Sequence, residues 1–263
     1  MAAKTTIKIS AEARDVLRES NLAMSGVFLY IPNRQLGRSL YVEISKALGK
    51  LGGKWNTAAG AFKFEKDVTV EFNALRGDGE VVDEKVLYQA FYTPEPVVEK
   101  MLRLARLKKG DRVLEPSAGD GRIAIAAAKE GADVVAVEVR QSEAERIPRG
   151  DNIHVVSGDF LSIDPSRWAP FDAILMNPPF SKQQDIDHVL HAIKFLRRVP
   201  RGELGGGALI AIVGAGFEMS RTKKAAALSE KLCWFSFVKI HKLPEGSFKE
   251  SGTNVRAVMI EAW

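Results

Sequence analysis

The amino-acid sequence predicts an α/β protein, a doubly wound and mostly parallel seven-stranded sheet carrying a small N-terminal α+β module. Three observations predict it. From Tyr92 onward, apolar strand-like runs alternate with segments of helical periodicity, the pattern of βαβ units whose helices cover both faces of a parallel sheet. Residues able to carry chemistry recur at the ends of successive runs at intervals of about 20 residues, the length of one β-α unit. Before that region the chain is basic and contains aromatics, and a Gly/Asp-rich stretch, Ala74–Glu80, separates the two compositions. The expected division is an accessory module over residues 1–80 and a larger domain over 81–263. A chain of 263 residues with 46% hydrophobic composition has room for one substantial core and such an appendage.

Within the module, Leu40, Tyr41, Ile44, Leu48 and Leu51 recur at helical spacing, and Gly52-Gly53 supply a C-terminal stop. Trp55, Phe62 and Phe64 follow in a hairpin around Ala58-Ala59-Gly60; their rings are expected to be the module's small core, because so short a segment needs every large side chain it has. In the larger domain, Thr93 is expected to cap a helix with Pro94 in its first turn, its apolar face marked by Val97, Val98, Met101, Leu102 and Ala105. Strands are expected near residues 112–115, 133–137, 153–156, 172–176, 207–213, 233–240 and 255–261. The last of them is a candidate for an antiparallel strand. Ile186, Val189, Leu190, Ile193 and Leu196 mark the clearest amphipathic helix.

Charge narrows the partners. The net charge of +5 and pI near 9.2 are modest evidence for a polyanion. Between Ile31 and Lys63 the bases Arg34, Arg38, Lys46, Lys50, Lys54 and Lys63 face one acid, Glu43, so this window is the expected electrostatic footprint. No apolar stretch approaches the roughly 18 residues of a membrane span, and the N-terminus lacks the apolar core of a signal peptide, so a cytoplasmic protein without membrane contact is expected. The single cysteine, Cys233, excludes an intrachain disulfide and lies in an apolar run that suggests a core thiol. His188 and His191 stand i, i+3 on a helix with no third ligand nearby in sequence, and no metal is expected. Arg197-Arg198 and Lys223-Lys224 are read as solvated helix faces.

Four stations carry the chemistry. Val113-Leu114-Glu115-Pro116-Ser117-Ala118-Gly119-Asp120-Gly121 is an apolar strand running into a glycine turn, where backbone can approach a ligand and the helix from Arg122 to Lys129 offers free amides. With Ala124 the spacing also satisfies a dinucleotide fingerprint, so this turn alone leaves a nicotinamide oxidoreductase open. Glu138, 19 residues beyond Gly119, ends the second run, where a carboxylate can accept from a ribose diol. Asp159-Phe160, 21 residues on, offers an acceptor and a ring suited to an adenine. Asn177-Pro178-Pro179-Phe180, 18 residues further, joins an amide, two residues without backbone donors and an aromatic ring in one rigid turn, an arrangement suited to gripping a planar amino group. Side chains at these intervals emerge at the same carboxyl edge of neighbouring parallel strands, where open α/β sheets bind ligands.

On these motifs the chain resembles the class I S-adenosylmethionine-dependent amino-methyltransferases, and among them the N6-adenine DNA methyltransferases with unpermuted motif order, enzymes found in restriction-modification systems. The resemblance runs from Phe91 to Trp263. It takes in Tyr92-Thr93-Pro94, the Glu115 to Gly121 loop, Glu138, Asp159-Phe160, Asn177 to Phe180, and the closing segments Leu243–Phe248 and Ser251–Val255. Phe180 stands where tyrosine is commoner, and no large recognition domain follows. The resemblance implies a Rossmann-like methyltransferase fold with S-adenosylmethionine as cofactor. It implies that Glu115, Pro116, Ser117, Ala118, Gly119 and Gly121 hold the amino acid end, Glu138 and Val139 the ribose side, and Asp159 and Phe160 the adenine, with Tyr92 and Thr93 closing the pocket. Asn177 and Pro178 would accept from the target amino group while Pro179 shapes the turn and Phe180 stacks on a base flipped out of double-stranded DNA. The same turn would also serve adenine in RNA or a glutamine amide in a protein, and a DNA-binding protein with a relic site stays open. The module's Leu40 to Lys63 stretch looks similar to N-terminal segments of phage- and plasmid-type methyltransferases. There Arg34, Arg38, Lys46, Lys50 and Lys54 would contact the DNA backbone, in a homodimer if two copies share the site.

Overall fold

The structure, a computed structural model, describes residues 6–23, 26–65, 67–82, 92–168, 170–198, 206–249 and 255–263. It divides into two units, Met1–Tyr88 and Gln89–Trp263. In the first, β1 (Thr6–Lys8), α1 (Ala11–Glu19), β2 (Asn21–Ala23), β3 (Phe28–Tyr30), α2 (Arg38–Lys50), β4 (Lys54–Asn56), β5 (Ala61–Lys63), α3 (Thr69–Asp78) and β6 (Glu80–Val82) follow in order. The strands form an antiparallel β1-β6 pair and an antiparallel sheet ordered β2-β3-β5-β4. Ser10 caps α1 by accepting from the Ala13 amide at 3.1 Å. Glu43 in turn accepts from the Ser10 amide and hydroxyl at 2.6 and 3.0 Å, so the one acid of the basic window is engaged in holding two helices together. Leu40, Ile44, Ala47 and Leu48 of α2 pack with Leu17, Leu29, Phe62, Phe64, Phe72 and Leu75 in this unit's core.

Two expectations change here. Ala74–Glu80 is not a turn: Phe72 and Leu75 are buried one helical turn apart, so α3 persists through Gly77 and Asp78 until Gly79, at φ +77°, ends it and β6 pairs back onto β1. Phe62 and Phe64 are core residues as expected, but Trp55 is 45% exposed, because β4 is an edge strand and its side chain has a neighbour on one side only.

The second unit runs α4 (Glu95–Ala105), β7 (Arg112–Glu115), α5 (Arg122–Lys129), β8 (Asp133–Glu138), α6 (Gln141–Ala144), β9 (Ile153–Ser157), β10 (Ala173–Met176), α7 (Gln184–Ala192), β11 (Ala208–Gly214), α8 (Lys223–Leu232), β12 (Val238–Lys242) and β13 (Ala257–Ala262). Its seven-stranded sheet is ordered β12-β13-β11-β10-β7-β8-β9, with only β13 antiparallel to its neighbours. Separate hydrophobic clusters cover its two faces, one with Val98, Met101 and Ala127, the other with Ile186, Val189 and Leu228. The predicted doubly wound α/β architecture is thus present.

Three local expectations are corrected. Pro94, not Thr93, is the N-cap of α4, since the proline carbonyl accepts from Val97 and Val98 while the Thr93 hydroxyl is used elsewhere. The strand expected over 233–240 begins only at Val238. Cys233 therefore ends α8 and is exposed, because Leu228 and Leu232 are the residues that bury that helix. Phe91 and Ser251–Asn254 lie outside the described residues.

Candidate active site

The strand order reverses at β7, which has β8 on one side and β10 on the other, and such a switch point opens a crevice at the carboxyl ends of the strands. Glu115, Glu138 and Asn177 all stand at this edge, at the ends of β7, β8 and β10. Register accounts for it: Glu115 lies opposite Ala136, and Ile174 opposite Leu114, so Glu138 and Asn177 each stand two residues beyond the level of Glu115 and the three loops emerge at one edge.

Glu115 is buried, and one carboxylate oxygen accepts from the Ala124 amide in the first turn of α5 at 2.7 Å. Burial pushes this carboxyl well above its ordinary range, with Asp120 and Glu138 adding repulsion and the Ala124 bond opposing. Pro116 and Ala118 are buried beneath the turn, and the Ala118 amide donates to the Val137 carbonyl at 2.9 Å, fixing the loop against β8. The Ser117 hydroxyl is buried without a hydrogen-bond partner among the described residues. Gly121 must be glycine, since φ is +78° and a Cβ there would meet Ile147 at 2.8 Å.

Glu138 closes the loop from the other side. One oxygen accepts from the Gly119 amide at 2.6 Å and the other from the Arg140 amide and Nε at 3.0 and 2.9 Å. Burial works against the Arg140 charge, yet Glu138 and Glu143 outweigh it and hold the guanidinium above its ordinary value. Tyr92 lies over Gly119, its ring 3.5 Å from where a Cβ would stand, and the Arg122 guanidinium sits 5.3 Å from the ring centroid. Burial, then the Glu143 charge, raises the Tyr92 hydroxyl above its ordinary value. Arg122 also binds the Asp120 carboxylate and donates to the Thr93 carbonyl at 2.8 Å, pinning the segment before α4 onto the glycine turn. Arg122 and Arg140 carry no motif in the sequence; the signal was only their position directly after Gly121 and two residues after Glu138. Val139, between these groups, is exposed.

At the end of β10, Asn177 donates from Nδ2 to the Thr93 hydroxyl at 3.0 Å, which directs Oδ1 to the opposite side of the amide. Pro178 is buried, Pro179 half-buried, and the half-buried Phe180 ring meets Phe248 edge-on at 6.2 Å between centroids. Lys182 and Gln183 follow at φ +52° and +60°, left-handed conformations that cost a non-glycine residue about 1–2 kcal/mol each. Asp185 anchors the other end of this turn, accepting from the Gly214 amide of β11 at 2.8 Å.

Asp159 and Phe160 separate. Asp159 is exposed at the loop after β9, where it accepts from the Leu161 amide at 3.0 Å. Phe160 is 2% exposed and its ring lies among His191, Phe195 and His188 at 4.9, 5.2 and 6.0 Å, inside the core on that face of the sheet. In the first unit Arg38, Lys46 and Lys50 are exposed along α2, whereas Arg34 is paired with Glu19 at 3.1 Å and Lys54 with Glu65 at 3.3 Å. Among the described residues no helix is long and apolar enough to cross a membrane.

No protein-family profile matches the chain. A crystal structure described as a modification subunit of a type I restriction enzyme from Vibrio vulnificus superposes with a TM-score of 0.53 at 17% identity, covering 87% of this chain and 50% of that one. A dimethyladenosine transferase from Plasmodium falciparum superposes with a TM-score of 0.50 at 16% identity, covering 66% of this chain and 62% of that one. The fold is that of Rossmann-like methyltransferases. In sequence, the chain is similar to a probable ribosomal RNA small subunit methyltransferase A of Methanosarcina mazei, 29% identical over 44% of this chain, and to a release factor glutamine methyltransferase of Gloeobacter violaceus, 28% identical over 43%. These matches span 42% of each relative's length. S-Adenosylmethionine is the cofactor of this fold, and the residues present suit it: a buried, unpartnered Ser117 hydroxyl, a glycine turn at a helix N-terminus, and an acceptor at the second strand end.

Proposed function

We propose that the chain transfers a methyl group from S-adenosylmethionine to the N6 amino group of an adenine flipped out of double-stranded DNA. The observation that carries this reading is the Asn177 amide, oriented by Thr93 within the rigid Pro178-Pro179 turn and set at the strand next to Glu115. When bound, the cofactor supplies an electrophilic sulfonium methyl. Its holders would be the Glu115 to Gly121 loop, Glu138, Val139, Asp159 and the Tyr92-Thr93 segment. An exocyclic nitrogen conjugated with its ring is a poor nucleophile. Asn177 Oδ1 and the Pro178 carbonyl accept its two hydrogens, which favours a pyramidal nitrogen with an available lone pair. Phe180 stacks on the base and keeps it in line. Positioning and preorganised acceptors supply the acceleration, with no strong base. Basic charge on α2 supports DNA as the polyanion, with Arg34, Arg38, Lys46, Lys50 and Lys54 contacting phosphates, and a homodimer would present two such helices.

A second reading has its own support, because the curated relatives are named for ribosomal RNA and release factor glutamine methylation. The Asn177 turn grips any planar NH2 group. Incubation with tritiated S-adenosylmethionine and duplex DNA, RNA or protein acceptors separates the two. Label in duplex DNA that disappears in Asn177→Ala, with S-adenosylhomocysteine affinity kept, is the expected result; label only in RNA or protein overturns the DNA reading.

A further inference from the structure

Trp55 is the more exposed of two large aromatics, with Tyr41, that the core of the first unit does not absorb. It is 45% exposed on β4, the edge of the four-stranded sheet, and its indole meets Phe62 at 5.2 Å with an interplanar angle of 74°. A tryptophan on an open sheet edge is a liability for aggregation, which proteins ordinarily avoid. Beside it the register sets Lys54 directly opposite Lys63, a like-charge pair that costs stability. Glu65 lies 3.3 Å from the Lys54 ammonium and offsets one of the two charges, while Lys63 sits 5.8 Å from the Phe28 ring centroid. Lys54, Trp55, Asn56, Lys63, Phe64 and Glu65 together line an open hollow. These contacts place the indole and the two lysines but leave the ring half out of the core.

We propose that this hollow is a binding site for an unpaired DNA strand, in which Trp55 stacks on one base and Lys54 and Lys63 contact the flanking phosphates. The proposal rests on the nucleic-acid reading above and adds to it a site built on a ring. Every base has a flat face, so an exposed indole accepts any base without reading its identity, and cations lining the same hollow can follow the backbone. Arg38, Lys46 and Lys50 are exposed along α2, where Tyr41 is 37% exposed, and would neutralise phosphates. Trp55 instead requires a base that has left its stack.

The test is fluorescence anisotropy of the full chain with a labelled single-stranded DNA oligonucleotide, without cofactor, over a range of salt concentrations. Trp55→Ala is expected to weaken binding about tenfold with its salt slope unchanged, while Trp55→Phe keeps most of the affinity. Lys54→Gln and Lys63→Gln are each expected to lower the slope of log affinity against log salt by about 0.7. Circular dichroism confirms that each variant is folded. Wild-type affinity in folded Trp55→Ala overturns the proposal. So does loss of a dimer in Trp55→Ala by sedimentation with DNA affinity intact, which would make the edge a contact between copies of the chain. The methylation assay runs separately: label in RNA or protein with a tenfold loss in Trp55→Ala refutes the DNA-methylation reading and leaves the site standing, whereas label in DNA with no loss does the reverse.

Discussion

The Asn177 amide donates to the Thr93 hydroxyl at 3.0 Å, joining residues 84 positions apart at the mouth of one crevice. An amide is free to present either end to a ligand unless a neighbour decides between them. Thr93 holds the nitrogen end of the amide, which leaves Oδ1 on the other side, so its role is positioning of the acceptor. Thr93→Val should lower the single-turnover rate of methyl transfer about tenfold with S-adenosylhomocysteine affinity nearly unchanged, and Asn177→Ala should lower it by about 10²–10³. Equal losses in both variants would instead point to collapse of the turn.

Glu138 and Arg140 are both almost fully buried and bonded at 2.9 Å. Glu138→Ala leaves the Arg140 charge facing the more distant Glu143 carboxylate, at 3.8 Å, and frees the Gly119 amide. Urea denaturation should show a loss of about 3 kcal/mol. Calorimetry should show at least a tenfold loss of S-adenosylhomocysteine affinity, while Glu138→Gln keeps more of both.

Glu115 and His188 predict pH dependences of opposite sign. The Glu115 carboxyl is raised by burial, so the folded chain binds that proton more tightly than the unfolded one. Its contribution is complete below the ordinary carboxyl range and is lost as pH rises through the folded value. In Glu115→Gln the side-chain oxygen can still accept from Ala124 and no charge forms. The variant should melt about 2–4 °C above wild type at neutral pH, and the gap should close in acid.

Burial lowers His188 from 6.5 to about 4, so this residue favours the unfolded state as pH falls. Stability should decline from 6.5 toward about 4, with a slope no steeper than about 1.4 kcal/mol per pH unit. Denaturant titrations across that interval should show a flatter decline in His188→Gln.

Phe180 has an exposed part and an edge contact with Phe248, which suits a stacking surface. Phe180→Ala should reduce kcat/KM for the methyl acceptor about tenfold, and Phe180→Tyr should retain activity, because both rings present a flat face. A loss in the tyrosine variant as large as in alanine would count against stacking.

The second unit was legible because its signals are periodic. Strands such as Val113–Glu115 and Val134–Glu138 are apolar runs of the right length, and the β-α interval alone brings Glu115, Glu138 and Asn177 to one sheet edge. In the first unit the α2 helix and the β4–β5 hairpin were legible, but β1, β2, β3 and β6 were not, since they span three residues each, too few to show alternation. Charge read along the chain was incomplete for a related reason. Counting along the window from Ile31 to Lys63 missed Glu19 and Glu65, which return in space to Arg34 and Lys54.

Local sequence therefore determined the α/β architecture, the switch-point edge and the glycine and Asn-Pro-Pro turns, all of which follow from periodicity and backbone restriction within a few residues. Tertiary structure decided which of those side chains reach the crevice. It sent Phe160 into the core, left Trp55 on an open edge, and brought Thr93 to Asn177 and Arg122 to the Thr93 carbonyl, groups that no spacing links to one another. Burial and pairing depend on what the rest of the chain packs alongside, and that information is absent from any local stretch of sequence.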